Sequence, residues 1–290
     1  MATMMTHLPH RGVLEIQGED KASFLQGLIS NDITQVTSEK AIYSALLTPQ
    51  GRFLYDFFIM EKEGAYLLDG EAHQLEFLLK RLNLYKLRSR VTLTLRTDLK
   101  VFALWGKNLA TSLHLKEERG NSDAVFFIDP RLVELGARAI GNVEEKGFQL
   151  ASPQDYDLHR LTLGIPEGGR DLISEKAILL ESGLDELNAI SWTKGCYMGQ
   201  ELTARTKYRG LVRKRLIPVN VEGEAPSEGT EIFLNDKSVG EMCTSRDSHG
   251  IILLRLEALK AYQEGQGKLT CGKALLKPYI PFWMRVEEPS

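Results

Sequence analysis

The chain has 290 residues, of which 43% are hydrophobic and 26% charged, and its formal net charge is -3. This length predicts roughly two domains, and the composition is that of a globular protein with enough apolar residues for a sizeable core. The slightly acidic balance gives no reason to expect a nucleic-acid partner, and no apolar run reaches the ~18 residues of a membrane span.

The termini and the cysteines narrow the class further. Residues 1–10 carry neither the apolar core of a signal peptide nor an Arg-rich amphipathic presequence, which predicts a cytoplasmic protein. The three cysteines, Cys196, Cys243 and Cys271, are widely spaced and lack CxxC pairs. This pattern argues against a disulfide framework and against a zinc site built by the chain alone.

In chain order, the segment up to residue 163 combines strands with a few helices. The predicted strands are 12–16, 41–48, 53–60, 65–68, 91–95, 101–105, 124–128 and 137–140. The predicted helices are 20–29, 71–85 and 154–163, and residues 106–123 are predicted to form a further helix and loop. The pattern predicts an α+β fold with helices on a mostly antiparallel sheet.

The pattern of predicted elements changes after Gly210. Short strands are predicted at 211–222, 231–234, 238–244 and 250–256, with turns between them. This pattern is typical of a small all-β barrel. We therefore predict an α+β domain over 1–210 and a C-terminal β-barrel domain over 211–290.

Residues 194–201 form the stretch that looks least like core packing. They read Lys194, Gly195, Cys196, Tyr197, Met198, Gly199, Gln200 and Glu201. The two glycines suggest a tight loop, since glycine tolerates a positive φ, and Gln200 opens a predicted helix. If Lys194 approached the thiol, it would favour the reactive thiolate of Cys196. The alternative is a buried structural cysteine, which is the common fate of a free thiol.

Two further features could carry chemistry. Asp56 interrupts the apolar run 53–60, where a buried carboxylate is costly unless it is paired. A solvent-facing Asp56 would expose its apolar neighbours, so we predict that it points into a pocket as a hydrogen-bond acceptor or base. The second feature is a basic run without acidic residues, formed by Arg205, Lys207, Arg209, Arg213, Lys214 and Arg215. It is either a solvated surface or a site for carboxylate or phosphate groups.

The 194–205 segment resembles the signature of the YgfZ-type folate-binding proteins. That family assists iron–sulfur cluster assembly and is related to the glycine-cleavage aminomethyltransferase, the T protein. Further similarity covers most of the chain, at residues 24–32, 50–56, 84–88, 159–168, 214–216 and 239–245. The similarity is strongest to the mitochondrial-type cluster-assembly branch.

The resemblance implies an aminomethyltransferase-like ring, with two interlaced α+β lobes and a barrel around a channel for tetrahydrofolate. It implies a folate contact for Asp56, which stands where the aminomethyltransferases carry an acid near the reactive nitrogens. Folate contacts are expected also from Tyr197, Gln200, Glu201 and Arg205. The chain departs from the aminomethyltransferases at Thr162, where they have a glutamate that holds the pterin ring.

The leading hypothesis is a tetrahydrofolate-binding accessory factor for assembly or repair of [4Fe–4S] proteins. Cys196, Lys194 and Asp56 are its predicted reactive residues. Cys196 would be a ligand of a transient cluster, a redox thiol or a nucleophile, and the expected partners are folate and assembly or client proteins. The alternative is a folate-dependent aminomethyltransferase or other one-carbon transferase, and the sequence alone does not establish turnover.

Overall fold

The computed structural model describes residues 3–106, 109, 123–145, 147–210 and 212–285. The strands are β1 Met4–His7, β2 Arg11–Gln17, β3 Ile42–Leu47, β4 Phe53–Lys62, β5 Ala65–Glu71, β6 Thr92–Leu95, β7 Lys100–Trp105, β8 Val125–Ile128, β9 Ala137–Gly141, β10 Gln149–Leu150, β11 Lys214–Glu222, β12 Glu231–Leu234, β13 Lys237–Arg246, β14 His249–Arg255, β15 Leu269–Cys271 and β16 Ala274–Pro278. The α-helices are α1 Lys21–Gln26, α2 Leu75–Lys86, α3 Pro153–Thr162, α4 Gln200–Tyr208 and α5 Leu256–Gln263.

The chain divides into two compact units. The first unit comprises Met1–Pro49, Leu54–Tyr156 and Leu187–Gln200. The second unit comprises Gln50–Phe53, Asp157–Glu186 and Glu201–Ser290. The predicted domain boundary at residue 210 stays a prediction.

The first unit contains two five-stranded sheets. Their strand orders are β10-β1-β7-β9-β8 and β3-β4-β5-β2-β6. The second sheet carries a core of aliphatic and aromatic side chains, onto which α2 packs Leu75, Leu78 and Leu82. Those three positions share one face of a helix with 3.6 residues per turn, as the sequence predicts. Strands β3 and β5 are buried along their whole length, so this sheet is covered on both faces.

The barrel of the second unit is closed. Its strand order is β11-β14-β13-β12-β15-β16, and β16 returns to pair antiparallel with β11. Closure leaves no unpaired strand edge, which removes a route to aggregation. Strands β15 and β16 and helix α5 were not predicted from the sequence, because these segments are short and mix polar with apolar residues.

Several element boundaries differ from the prediction. Helix α1 ends at Gln26 rather than at residue 29, and the carbonyl oxygens that follow are used in other contacts described below. Asp20 does not cap α1 with its side chain, because its carboxylate accepts a hydrogen bond from Arg90 N at 2.7 Å. Most of the helix and loop predicted over 106–123 lies outside the described residues. No helix in the described part of the chain is long and apolar enough to cross a membrane.

Candidate functional site

The Cys196 loop is anchored on its N-terminal side by Lys194. The Lys194 side chain is buried, and its Nζ donates to the carbonyl oxygens of Gln26 at 2.8 Å, Ile29 at 2.7 Å and Asn31 at 2.8 Å. An ammonium group has three N–H donors, so this arrangement uses all of them. The carbonyl oxygens at the end of α1 and just beyond it thereby gain a charged partner.

Burial lowers the pKa of Lys194 to about 8, and the nearby carboxylate of Asp32 opposes that shift. The ammonium also lies 5.1 Å from the ring centroid of Tyr197, within cation–π range. Lys194 is therefore surrounded by carbonyl oxygens, one carboxylate and one aromatic ring. Its observed contacts fix the backbone, and its predicted influence on the thiol stays a prediction.

The C-terminal side of the loop is anchored by Met198. Its backbone N donates to Gly27 O at 3.1 Å, and its side chain packs against the core of the first unit. Tyr197 is buried between these anchors, whereas Cys196 is exposed. The loop thus presents one thiol to solvent while its neighbours are held.

The two glycines of the loop differ in whether the backbone conformation requires glycine. Gly199 has a φ of 81°, in the left-handed region that other residues rarely adopt. A Cβ added at Gly195 would meet no atom within 4 Å, and its φ lies outside that region. The prediction of a conformational need for glycine is therefore supported at Gly199 and not at Gly195. The predicted helix opening at Gln200 is confirmed, since α4 begins there.

The other two thiols lie in barrel strands. Cys271 is buried, donates to Thr230 O at 3.7 Å, and burial raises its pKa to about 11. Burial raises the pKa of Cys243 further, and the charge of Asp171 adds to that effect. A thiol needs to ionise to act as a nucleophile or a metal ligand, so both environments disfavour reaction.

Asp56 is buried in β4, so the solvent-facing interpretation is wrong. Its Oδ2 accepts a hydrogen bond of 2.7 Å from the phenol of Tyr43. Burial and the neighbouring carboxylate raise the pKa of Tyr43 well above its ordinary value, so the phenol stays protonated and donates. Within the described residues Oδ1 of Asp56 takes no hydrogen bond. That oxygen is the acceptor this carboxylate can offer to a ligand.

A chain of hydrogen bonds connects the two candidate regions. Lys194 donates to Asn31 O, and the Asn31 side chain donates to Tyr43 O at 2.8 Å. Tyr43 in turn donates to Asp56 through its phenol. Asn31 therefore contacts both the lysine that anchors the thiol loop and the tyrosine that bonds the buried carboxylate.

Sequence reasoning missed a buried ionic network in the first unit. Arg138, which is 1% exposed, donates to Asp69 at 2.8 Å and to Asp129 at 3.3 Å. Arg11 donates to Asp69, and Arg131 donates to Asp129 from two side-chain nitrogens and its backbone nitrogen. Since β9 and β5 belong to different sheets, the Arg138–Asp69 pair ties the two sheets together.

Three arginines of this network lie close to one aromatic ring, that of Phe58. The guanidinium carbons of Arg138, Arg131 and Arg11 lie 4.0, 4.9 and 5.6 Å from the ring centroid of Phe58. Arg131 also lies 5.5 Å from the ring of Tyr43, so the network borders the Tyr43–Asp56 pair. The signal that could have revealed it was the same one that marked Asp56, a charged residue inside an apolar strand.

The remaining predicted site residues lie around α4. Gln200 is half-buried, and Glu201 and Arg205 are exposed. Two cations of the basic run are paired within the second unit: Lys207 with Asp185 and Arg215 with Glu186, each at 2.7 Å. The run is therefore not a uniform anion site. Folate contacts of these residues stay predictions.

Thr162 is exposed at the end of α3, and its hydroxyl donates to His159 O at 2.7 Å. Next to it, Arg160 is buried and pairs with Asp157 at 2.7 Å and with Asp171 at 3.1 Å. Asp157 also accepts from Arg246 of β13 at 2.7 Å. This second ionic network therefore fastens α3 to the barrel, and Thr162 is not one of its members in the described part of the chain.

Comparison with known proteins defines the class first. The solved structure of glycine cleavage system aminomethyltransferase T from Bartonella henselae matches with a TM-score of 0.77, covering 97% of this chain and 86% of that one. Its identity of 14% makes this a likeness of fold alone. Residues 213–286 match the family described as CAF17, C-terminal beta-barrel domain. The predicted fold class, aminomethyltransferase-like α+β with a C-terminal barrel, is confirmed.

The relatives define the family. "Iron-sulfur cluster assembly factor IBA57, mitochondrial" of Mus musculus is 35% identical over 278 residues, covering 87% of this chain and 78% of that protein. The Homo sapiens protein of the same name is 34% identical, with the same two coverages. The homolog of Mycosarcoma maydis is 35% identical, and the match covers 74% of this chain and 57% of that protein. The chain belongs to the IBA57 family of iron–sulfur cluster assembly factors.

Two expectations need adjustment. The family shown is IBA57, and membership of the related YgfZ-type family is not confirmed. The predicted cytoplasmic location is wrong, since the curated relatives are named mitochondrial. That prediction used only the composition of ten residues. A targeting signal is physically independent of the fold that the rest of a chain encodes.

Proposed function

We propose that this chain acts in the assembly of [4Fe–4S] proteins and that Cys196 is the residue that engages the cluster or its sulfur. The observation that supports this most is the exposed thiol between two anchored neighbours, Lys194 and Met198. The relatives named as iron–sulfur cluster assembly factors support the same role. A thiol that needed only to fill a core would not be held at the surface.

A single thiolate is too few ligands for a cluster, since clusters are held by about four. The cluster is therefore cargo that this chain shares with an assembly or client protein during transfer. Because the loop is already ordered before the partner binds, the entropic cost of binding is smaller. Cys196 in this role supplies the thiolate, and the partner supplies the remaining ligands.

We propose further that the first unit binds tetrahydrofolate, a carrier of one-carbon units, through Asp56. The buried carboxylate with one unengaged oxygen, Oδ1, suits an N–H donor of the ligand, while Tyr43 fixes the other oxygen. Thr162 offers no equivalent of the acid found in the aminomethyltransferases, because it lacks a carboxylate and its hydroxyl bonds its own helix. Tyr197 and Gln200, which belong to the same unit, are the further proposed contacts.

The test is complementation of cells that lack the native protein, with activity of a [4Fe–4S] dehydratase as the readout. Cys196→Ser should abolish the rescue, whereas Cys243→Ala, a change at a thiol that cannot ionise readily, should retain it. In parallel, the purified protein is given methylene-tetrahydrofolate with an amine acceptor. Full rescue by Cys196→Ser, or folate turnover at an enzymatic rate, would contradict the proposal and favour a one-carbon transferase.

A further inference from the structure

The outer face of helix α2 carries large apolar side chains in solvent. Phe77 is 62% exposed and Leu84 is 71% exposed. They are seven residues apart, which is about two helical turns, so they lie on one face of α2. That face is opposite to Leu75, Leu78 and Leu82, which pack on the core. A surface helix normally has one apolar face, so the second one requires a reason.

The end of α2 extends this face. Leu87 follows the last helical residue with φ 43° and ψ -110°, and it is 88% exposed. A left-handed backbone is costly for leucine, and helices commonly place glycine or asparagine at such an end. The strained backbone holds a large apolar side chain in water, which gives the fold no stability. A shallow depression lined by Asp20, Leu87, Arg88 and Ser89 lies beside it.

Basic side chains lie between and beside these apolar residues. Lys80 and Arg81 lie between Phe77 and Leu84 in the helix, and Lys80 Nζ is 5.7 Å from the Phe77 ring centroid. Lys80, Arg81, Lys86 and Arg88 form no ion pair within the described residues, unlike Arg90, which pairs with Glu19 and Asp20. These cations are therefore available to a partner.

We propose that the α2 outer face, comprising Phe77, Lys80, Arg81, Leu84, Leu87 and Arg88, docks an amphipathic helix of a partner protein, whose apolar face is bordered by Asp and Glu. Aromatic and arginine residues around an apolar centre are the composition of protein interfaces. A guanidinium fork binds a carboxylate through two hydrogen bonds, which a compact acidic patch provides. The face from Phe77 to Arg88 is about 16 Å long, enough to pack along about three turns of one partner helix.

A lipid surface fits less well. The chain as a whole carries a net charge of -3, so an extended anionic bilayer would repel it, while a local acidic patch would meet only the basic face. The docking proposal deepens the proposed function, because the partner it fits is an assembly or client protein that approaches the first unit. It assigns that protein a place to bind that is separate from the thiol.

The binding experiment uses a defined probe. The probe is a fluorescent 20-residue amphipathic helical peptide with leucines on one face and glutamates elsewhere, and its binding to the full chain is measured by anisotropy. Leu84→Glu and Arg88→Glu should each weaken binding by about tenfold or more, and added salt should weaken it in the unchanged protein. The matched controls Ile173→Glu and Lys260→Glu change an exposed apolar residue and an exposed lysine elsewhere, and should leave binding unchanged.

Equal effects of all four substitutions, or no binding of the peptide, would overturn the proposal. Binding to vesicles of phosphatidylglycerol and phosphatidylcholine that the α2 substitutions abolish, without peptide binding, would overturn it in favour of a lipid surface. Dimerisation abolished by Leu84→Glu, without peptide binding, would overturn it in favour of a second copy of the chain.

Complementation in cells distinguishes the docking proposal from the proposed function of Cys196. Leu84→Glu and Arg88→Glu should lower the dehydratase activity of complemented cells, while the purified variants keep the unfolding midpoint and Cys196 alkylation rate of the unchanged protein. If Cys196→Ser rescues fully, the proposed function fails, and the peptide result still decides the docking surface. If Cys196→Ser abolishes rescue while both α2 variants rescue fully, the docking proposal alone fails.

Discussion

Lys194 Nζ donates to the carbonyl oxygen of Ile29 at 2.7 Å, across a sequence separation of 165 residues. With the bonds to Gln26 O and Asn31 O, it connects the cysteine loop to the end of α1. The lysine that the sequence marked as a neighbour of the thiol is thus observed as an anchor of the backbone.

Replacing Lys194 by Met should lower the free energy of unfolding by about 2–4 kcal/mol. The change leaves three carbonyl oxygens without their donor, and each unsatisfied buried polar group is costly. Denaturant unfolding measures the effect. Lys207→Met, which removes one partly exposed ion pair, is the control and should cost at most about 1 kcal/mol. Equal losses in the two variants would contradict the anchoring role.

The same lysine predicts a pH dependence. Its folded pKa is about 8, below the ~10.4 of an unfolded lysine, so between these values the unfolded chain binds more protons. The free energy of unfolding contributed by this group therefore rises with pH across that window and is constant below it. Unfolding of the unchanged protein and of Lys194→Met is measured from pH 7 to pH 10. The difference between the two should grow with pH, and a constant difference would contradict the lowered pKa.

The two loop glycines should respond differently to alanine. Gly199→Ala should destabilise the protein by about 1–2 kcal/mol, because the left-handed backbone at φ 81° is unfavourable for alanine. Gly195→Ala meets open space and should change the free energy of unfolding by less than about 0.5 kcal/mol. Thermal unfolding of both variants tests this pair. A larger effect at Gly195 would mean that the loop is packed more closely than described.

The thiols should react in a fixed order. With limiting maleimide at pH 8, label should collect on Cys196, because it is exposed, while Cys243 and Cys271 have raised pKa values. At a pKa of about 11, roughly one Cys271 thiol in a thousand is ionised at pH 8. Peptide mapping by mass spectrometry gives the order. Label on Cys243 first would indicate that the cysteine loop is closed in solution.

Arg138 should be among the residues least tolerant of change. Arg138→Met leaves Asp69 and Asp129 with fewer cations in a buried site that joins two sheets, which should cost about 3–5 kcal/mol. Arg96→Met is the control, because its pairs with Glu15 and Asp98 are partly exposed. Chemical denaturation compares the two. A loss at Arg138 no larger than at Arg96 would show that the buried network adds little net stability.

Much of the architecture could be predicted from the sequence, because periodicity encodes which face of an element is buried. The apolar periodicity of residues 71–85 predicted helix α2, which packs Leu75, Leu78 and Leu82 on the core, and the short strands after Gly210 predicted a barrel. Asp56 inside an apolar strand predicted a buried carboxylate, which the structure confirms. Each of these signals is local, so a single stretch of chain is enough to contain it.

Only the tertiary structure decided which groups meet. The partners of Lys194 lie more than 160 residues away, and the Arg138–Asp69 pair joins strands of different sheets. A charged residue is usually solvated, so sequence reasoning assigns it to the surface unless a partner is visible. Here the partners exist only after the sheets have assembled, and burial then gives the same side chains a different physical role. The sequence determined that a thiol stands in an unusual loop, and long-range hydrogen bonds decided that the loop is held open to solvent.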